Sequence, residues 1–334
     1  MTTASMLLTV TTTWSANSEK CDKDERLGRV ARSIAAVAAR ELRETPATRE
    51  QALHIMREWI QQNNDIKNVR QDEPFLLRFL RHKKYSILMA QQTLLKYLSL
   101  RKYYPQVFSK LDCEDAGAVE LLNNGYMAVS PVRDEKGRRV IVYNISKFNA
   151  SKFTCWDMCR MHIMVYEACL DDPQDQIFGF VHVGEGTGVT GAHVTAWNPT
   201  DFARLMKWGE QSVPMRHKAF HLINVPSTIK YIIDFAASKL SPKMSERLHI
   251  YTNLKQLHKN IDVSCLPTNY GGHIPWQEMT NFTFQLLDEQ RKKLLGLDDM
   301  EILSTRGIVS SRKSIAITPE TASAEGSFRK LEID

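Results

Sequence analysis

Three glycines form the most recognisable chemical motif of this sequence. Gly186, Gly188 and Gly191 match the pattern G-x-G-x-x-G and follow an apolar run that predicts a strand. Such a loop can hold a pyrophosphate at the N-terminus of the next helix. Only seven residues separate Gly191 from Pro199, however, and the loop follows the third predicted strand rather than the first. A glycine-rich loop at a strand end is the favoured interpretation, with a nucleotide-dependent oxidoreductase as an alternative.

Cysteine, histidine and tyrosine share one face of the helix predicted over residues 152–170. Cys155 and Cys159 are four residues apart, and His162 and Tyr166 continue that face. A metal site would need a further ligand, and the spacing indicates none. Because a free cysteine behaves as a small hydrophobic residue, the wall of a core or cavity is favoured. No G-x-S-x-G, H-E-x-x-H or GxxxxGK[ST] motif occurs, so the sequence predicts no catalytic residues, no enzyme, no metal and no cofactor.

A wide apolar helix is predicted over residues 226–240, where Tyr231 and Phe235 broaden the apolar side. Its central stripe consists of Ile229, Ile232, Ile233, Ala236 and Leu240. An ordinary surface helix packed on a sheet would show the same spacing. A helix of this kind flanked by clustered cations is also typical of proteins that bind an anionic membrane surface.

Basic residues flank this helix on both sides. Arg216 and Lys218 precede it, and Lys243 and Arg247 follow it four residues apart. Clustered lysines and arginines suit phosphate groups, although each one alone is equally consistent with a solvated surface position. The chain has 44 basic and 38 acidic residues, a net charge of +6. This excess is too small for a histone-like nucleic-acid-binding protein but allows one local basic surface.

The elements that position these residues fall into two folded parts. The 334 residues, 43% hydrophobic and 25% charged, have ordinary globular composition. Helical spacing predicts an all-α module over residues 22–110, and alternating strand and helix patterns predict an α/β domain with a mainly parallel sheet over residues 115–275. The predicted strands include Arg139–Asn144 and Ile177–Val183. Residues 276–300 are predicted to form closing helices. Residues 1–21 and 301–334 are Ser/Thr-rich and are predicted to be disordered.

The cellular location is predicted from cysteine usage and the absence of long apolar segments. The six cysteines form no CxxC pair, which indicates reduced thiols. The N-terminal residues lack the basic region of a signal peptide, and no apolar run approaches the roughly 18 residues that span a bilayer. We therefore expect a cytoplasmic protein that associates transiently, from the water side, with intracellular or plasma membranes.

Four segments of the sequence resemble the CRAL-TRIO family. They are FLLRFLRHKKYSILMAQQTL, GRRVIVYN, FHLINVP and CLPTNYGG, and they occur in the family's order. The resemblance covers roughly residues 45–290 and is closest to the branch of α-tocopherol transfer protein and cellular retinaldehyde-binding protein. It implies an all-α N-terminal module packed on an α/β lipid-binding domain, with an apolar cavity covered by an amphipathic gate helix at residues 226–240.

The resemblance also implies a function. The family binds one small hydrophobic lipid, such as a tocopherol, retinoid or phospholipid, and transfers it between membranes, where the gate opens. In this branch a basic cleft binds phosphatidylinositol bisphosphate, and the matching positions here are Lys83, Arg216, Lys218, Lys243 and Arg247. The alternative is a phosphoinositide-recruited scaffold without ligand transport. The expected partners are the apolar ligand and the bisphosphate lipid, with no nucleic acid, and a monomer is expected.

The resemblance assigns a set of cavity residues that departs from the tocopherol-binding pattern. The set is Cys159, His162, Tyr166, Phe180, His182, Trp208, Met215 and Phe220. His162 and Tyr166 stand where the tocopherol binder has small hydroxyl residues, and Trp208 replaces a small apolar residue. The bulkier, more polar wall implies a different or smaller ligand than tocopherol. His162, Tyr166 and His182 are the candidates that orient it in an otherwise apolar pocket.

Overall fold

The structure is a computed structural model that describes residues 33–308 of the chain. The first part is helical, with one short strand, β1 (Ile66–Lys67). Its helices are α1 (residues 33–42), α2 (Pro46–Gln62), α3 (Glu73–His82), α4 (Ile87–Tyr103), α5 (Pro105–Phe108) and α6 (Ala116–Asn123). Side-chain caps begin three of them, because Thr45 accepts from the amide of Thr48, Asp72 from that of Phe75, and Asp115 from that of Gly117.

The second part is an α/β domain built on a five-stranded sheet of order β2-β3-β4-β5-β6. The strands are β2 (Met127–Val129), β3 (Arg139–Asn144), β4 (Phe180–Glu185), β5 (His217–Ile223) and β6 (Leu248–Tyr251). Only β2 is antiparallel to its neighbour, and the other pairs are parallel. The predicted α/β class with a mainly parallel sheet and a preceding helical module is confirmed.

Helices cover both faces of this sheet and complete the domain. They are α7 (Cys155–Cys169), α8 (Pro173–Phe178), α9 (Gly191–Trp197), α10 (Pro199–Ser212), α11 (Ser227–Ser238), α12 (Pro242–Ser245), α13 (Leu254–Leu257) and α14 (Trp276–Gly296). Val181 and Val183 of β4 pack with Leu257 of α13 and Met279 of α14 on one face. The other face looks towards α7 and α10. Among residues 33–308 no helix has the length and apolar character needed to cross a bilayer.

One glycine of the sheet makes room for the tyrosine that borders the cavity described below. A Cβ atom on Gly184 of β4 would collide with the ring of Tyr143 and would lie 2.8 Å from Leu222. Any larger residue would therefore displace Tyr143 from the neighbouring strand. Glycine is required at position 184 because the neighbouring side chains pack closely, not because the backbone has an unusual conformation.

A buried ion pair joins the helical module to the α/β domain. Arg78 of α3 donates to Glu167 of α7 at 2.6 Å, and both side chains are buried. Tyr97 of α4 donates to the other oxygen of Glu167 at 2.8 Å. The rings of Phe75 and Phe79 pack edge-on against Tyr97. Because removing one partner of a buried pair leaves an uncompensated charge, this contact fixes the position of the module on the domain.

Three predicted boundaries differ from the structure. The disordered tail was placed from residue 301, but β7 (Glu301–Ile302) pairs with β1, and Ile302 and Ile308 are buried. The closing region is the single helix α14 followed by a 3-10 turn. Ile177, assigned to a strand by its apolar run, belongs to α8, because Asp172 caps a helix that begins at Pro173. The predicted disordered N-terminus and residues 309–334 lie outside the described residues.

Candidate ligand cavity and basic cleft

An apolar cavity of about 260 Å³ lies among the sheet and helices α5, α7, α10 and α11. Helix α7 contributes Met158 and Ile163, α10 contributes Leu205 and Met206, and Phe108 closes one side from the helical module. Most of the lining side chains are apolar. The volume is just below the range of about 300–1,000 Å³ that is typical of small-molecule sites. The cavity can therefore enclose one small apolar molecule.

Helix α11 covers this cavity with two faces of different character. Ile233 and Ala237 line the cavity, and Ile233 also packs near Val189. Tyr231 and Phe235 point outwards, with 66% and 39% of their surfaces exposed. The side chains of Ile229, Ile232 and Ala236 lie outside the described parts of the structure. The helix thus has an apolar inner face and an exposed aromatic pair outside.

The predicted extent of this helix needs one correction. Leu240 was placed on the helical stripe, but α11 ends at Ser238, and Leu240 lies in the following turn, where it still lines the cavity. Just beyond, the carboxylate of Glu210 on α10 accepts a hydrogen bond from the amide of Ser241 at 3.1 Å. This contact holds the C-terminal end of the helix against α10.

Four of the predicted cavity residues line the cavity, and four do not. Cys159, His162, Tyr166 and Phe220 are on its wall. The assignment of Phe180, His182, Trp208 and Met215 is wrong for this cavity, because all four are buried in the packing behind the wall. Their positions have separate physical reasons.

Two of these four residues pack against rings that sequence spacing does not reveal, and the other two lie in the main core. Trp208 is buried, with its ring 5.0 Å from that of Tyr104 in the helical module. His182 lies behind Phe220, whose ring stacks on it at 4.5 Å. Phe180 and Met215 are 0% and 3% exposed in the main core. The wall is consequently formed by the neighbours of these residues.

Five polar aromatic side chains form two hydrogen-bonded groups in and behind the cavity wall. His162 Nε2 is 2.8 Å from Tyr126 Oη, and His162 Nδ1 is 3.0 Å from Tyr166 Oη. His182 Nε2 is 2.9 Å from His217 Nδ1. Tyr126 and His217 line the cavity but were not predicted to do so. These rings supply most of the polarity of an otherwise apolar wall.

Burial keeps all of these rings neutral at ordinary pH. It lowers the pKa of His162 to about 4. Burial, together with the nearby Arg247 and His162, lowers the pKa of His217 to about 3. The pKa of His182 is likewise well below its ordinary value, while burial raises the pKa of Tyr126 and Tyr166. These five rings therefore offer neutral donors and acceptors rather than charges.

The five predicted cations come from separate elements and act on one another electrostatically. Lys83 follows α3, Arg216 and Lys218 are at the start of β5, Lys243 is on α12, and Arg247 precedes β6. Burial, with the nearby Lys96 and Lys243, lowers the pKa of Lys83 to about 8. Burial and Arg247 lower the pKa of Lys243. We call this group the basic cleft.

Two members of the basic cleft are also fixed to the backbone. Arg216 donates to the carbonyl of Ile177, and Arg247 donates to the carbonyl of His217. Lys243 and Arg247 were expected to share one helical face, but α12 ends at Ser245, so Arg247 lies outside that helix. The two arginines therefore hold strand ends in place, whereas Lys243 is exposed.

An acidic residue of α1 occupies part of the basic cleft. Glu41 Oε2 lies 3.0 Å from both Arg216 Nη2 and Lys218 Nζ. Burial alone would raise the pKa of Glu41, but the hydrogen bonds and charges of Lys218 and Arg216 lower it below its ordinary value. Glu41 therefore remains ionised and neutralises part of the cleft. Sequence spacing gave no signal for this contact, because Glu41 and Arg216 are far apart in the chain.

The glycine motif lies beside the cavity as a structural loop. Gly188 adopts a φ of +80°, which favours glycine, and the loop leads into α9. Thr190 donates from its amide to His193 Nδ1 at 3.1 Å and so begins this short helix. The helix that begins at the third glycine is short, as the sequence indicated, because α9 ends at Trp197.

The chain is similar to several known proteins. Residues 123–272 match the family model described as the CRAL/TRIO domain. The chain is 28% identical to Clavesin-2 of Homo sapiens over 251 residues, which cover 75% of this chain and 77% of that protein. It is 27% identical to Alpha-tocopherol transfer protein-like of Mus musculus over 236 residues, or 70% and 68% of the two chains. The crystal structure of Sfh5 aligns with a TM-score of 0.49 and 12% identity over 75% of this chain and 99% of that chain.

Proposed function

We propose that the chain is a member of the CRAL/TRIO family, whose model matches residues 123–272, and that it binds one small hydrophobic lipid and transfers it between membranes. The observation that carries the proposal is the apolar cavity of about 260 Å³ beneath α11. Apolar surface exposed to water costs about 25 cal/mol per Å², so a lipid enclosed in this cavity avoids most of that cost. A scaffold recruited by phosphoinositides would need the basic cleft but no cavity, which makes transfer the better-supported function.

The outer face of α11 suits contact with a membrane during release. Opening the helix would expose Ile233 and Ala237 and lose their apolar contacts. Insertion of the exposed Tyr231 and Phe235 into the interfacial region of a bilayer would offset that loss. Lys239, whose Nζ lies 5.1 Å from the centre of the Phe235 ring, would meet anionic headgroups.

Replacement of this aromatic pair tests the proposed function. We expect Tyr231→Ser with Phe235→Ser to weaken association with anionic vesicles about tenfold or more, because both rings lose their apolar contact with the bilayer. Transfer of a fluorescent hydrophobic probe between vesicles should slow in parallel, while binding of the probe in solution should persist. The control is Leu295→Ser with Leu303→Ser, which removes two exposed apolar side chains elsewhere. Equal vesicle association for both double variants would contradict the role of α11.

The basic cleft supports recognition of a bisphosphorylated inositol headgroup. Such a headgroup presents several negative charges, and lysine and arginine bind them through charge-assisted hydrogen bonds. The desolvated Lys83 and the exposed Lys243 would both gain a counter-charge. Because Glu41 already contacts Arg216 and Lys218, the headgroup must displace one carboxylate.

Neutralising that carboxylate should therefore tighten binding. We expect Glu41→Gln to raise affinity for vesicles containing phosphatidylinositol bisphosphate about two- to fivefold. This gain corresponds to the small free energy of a partly exposed ion pair, which the headgroup no longer has to break. Glu50→Gln makes the same change in net charge at an exposed position and is the control. Vesicle sedimentation measures both. Unchanged affinity for Glu41→Gln, or an equal gain in Glu50→Gln, would mean that Glu41 does not compete with the headgroup.

A further inference from the structure

The hydrogen-bonded group Tyr126–His162–Tyr166 has one more polar hydrogen than it has hydrogen bonds. Two phenols and one neutral imidazole carry three polar hydrogens, and the group contains two hydrogen bonds. If Tyr126 donates to His162, then His162 donates to Tyr166, and the Tyr166 hydrogen is free. In the opposite tautomer the Tyr126 hydrogen is free. Both tyrosines line the cavity, so either arrangement leaves one phenol donor there without a partner among the described residues.

The pair His182–His217 adds a second donor by a similar argument. His182 Nδ1 is buried and has no partner among the described residues. If His182 Nε2 donates to His217 Nδ1, the unpaired atom is an acceptor and His217 carries its hydrogen on Nε2. The opposite tautomer would bury an unpaired N–H at His182, which is the rarer situation in proteins. His217 lines the cavity, so its Nε2–H is available to a bound molecule.

When Tyr126 donates to His162 and His162 donates to Tyr166, the two unpaired donors are Tyr166 and His217, and from this arrangement we infer that the ligand carries a hydrogen-bond-accepting oxygen, best a carbonyl, at the end that contacts both. The inference rests on the proposed function and names the chemistry of its ligand. The rings of Tyr166 and His217 have centroids 6.0 Å apart, so one head group can meet both.

Other head groups fit these two donors less well. A pure hydrocarbon leaves both buried donors unpaired, which is unfavourable because neither recovers the hydrogen bond it makes to water. An alcohol can accept, but it brings a hydrogen that needs its own partner. A carboxylate would place a charge in an apolar cavity among neutral rings, which is costly, and the nearby Arg247 already donates to the backbone carbonyl of His217. A carbonyl oxygen has two lone pairs and no hydrogen, and therefore matches the two donors.

Displacement of a hydrocarbon fluorophore tests this inference on the full chain. The probe is diphenylhexatriene, and the competitors are farnesal, farnesol and farnesene, which share an isoprenoid skeleton but differ in head group. We expect farnesal to displace the probe at a concentration about two- to tenfold lower than farnesene, with farnesol between them. Equal displacement by all three would overturn the carbonyl inference and leave lipid binding intact. Failure of the probe and all competitors to bind would overturn the proposed function itself, and this inference with it.

Infrared spectroscopy of bound farnesal gives an independent readout. The carbonyl stretch should move to lower wavenumber than in hexane because the oxygen accepts hydrogen bonds. A stretch unchanged from hexane in the wild-type protein would contradict the inference, whatever any variant does. The triple variant Tyr126→Phe, His162→Leu, Tyr166→Phe removes every polar hydrogen of this hydrogen-bonded group. It should reduce both the shift of the carbonyl stretch and the preference for farnesal. Tyr104→Phe, which removes a buried hydroxyl away from the cavity, should change neither.

Discussion

Gly209→Phe should reduce binding of any ligand in the cavity about tenfold or more without unfolding the protein. Gly209 lies on α10 and lines the cavity, and a Cβ built on it meets no atom within 4 Å. The phenyl ring would therefore enter space that the ligand otherwise fills. Overfilling a packed site costs about 1–3 kcal/mol, and each 1.4 kcal/mol corresponds to a tenfold change in affinity. Titration with diphenylhexatriene measures the loss.

Stability should change in the opposite direction. Glycine inside a helix is less favourable than most other residues, so Gly209→Phe should leave the thermal midpoint equal to or above that of the wild type. Gly296→Phe makes the same substitution in α14, where a Cβ also meets no atom within 4 Å and no part of the cavity is near. It should bind the probe normally. If Gly209→Phe also binds normally, the cavity is not the ligand site.

Lys218→Glu with Lys243→Glu should lower affinity for phosphatidylinositol bisphosphate vesicles about a hundredfold or more. Each reversal removes a charge-assisted contact worth about 1.5–3 kcal/mol and adds repulsion. Lysines are preferable to the arginines of the basic cleft, because Arg216 and Arg247 also bind backbone carbonyls. Binding of diphenylhexatriene should persist, since the cavity is a separate site.

The matched control reverses two exposed lysines elsewhere, Lys255→Glu with Lys259→Glu. Both double variants change the net charge by the same amount. Vesicle binding by the control should therefore fall only through long-range electrostatics, which salt screens over about 8 Å at physiological ionic strength. Equal losses in the two double variants would show that net charge, rather than the basic cleft, attracts the protein to the vesicle.

Local periodicity was sufficient to predict several of the elements and part of one wall of the cavity. The β-rich segment Arg139–Asn144 forms β3 with those bounds, because its β-branched and aromatic residues favour a strand. Cys159, His162 and Tyr166 follow helical spacing on α7, and the structure places all three on the cavity wall. Neighbours on one helix face stay together whatever packs against them.

The residues missed by the sequence depend on irregular or distant contacts. His217 faces the cavity because β5 has a bulge at Lys218, since Phe180 pairs with His217 while Val181 pairs with Ala219. Strict alternation would have put His217 on the same side as Ala219. Trp208 does not line the cavity, because its ring packs against Tyr104 of the helical module. These positions are decided by tertiary packing, which spacing along one segment cannot report.

Native mass spectrometry of the purified full-length protein tests the central claim most directly. The account predicts a population in which each chain carries one apolar molecule, identifiable after extraction, and predicts that Gly209→Phe purified in the same way lacks it. Gly296→Phe should retain it. A wild-type chain that carries no lipid and takes up neither diphenylhexatriene nor farnesal, or a bound lipid retained equally by Gly209→Phe, would contradict the account.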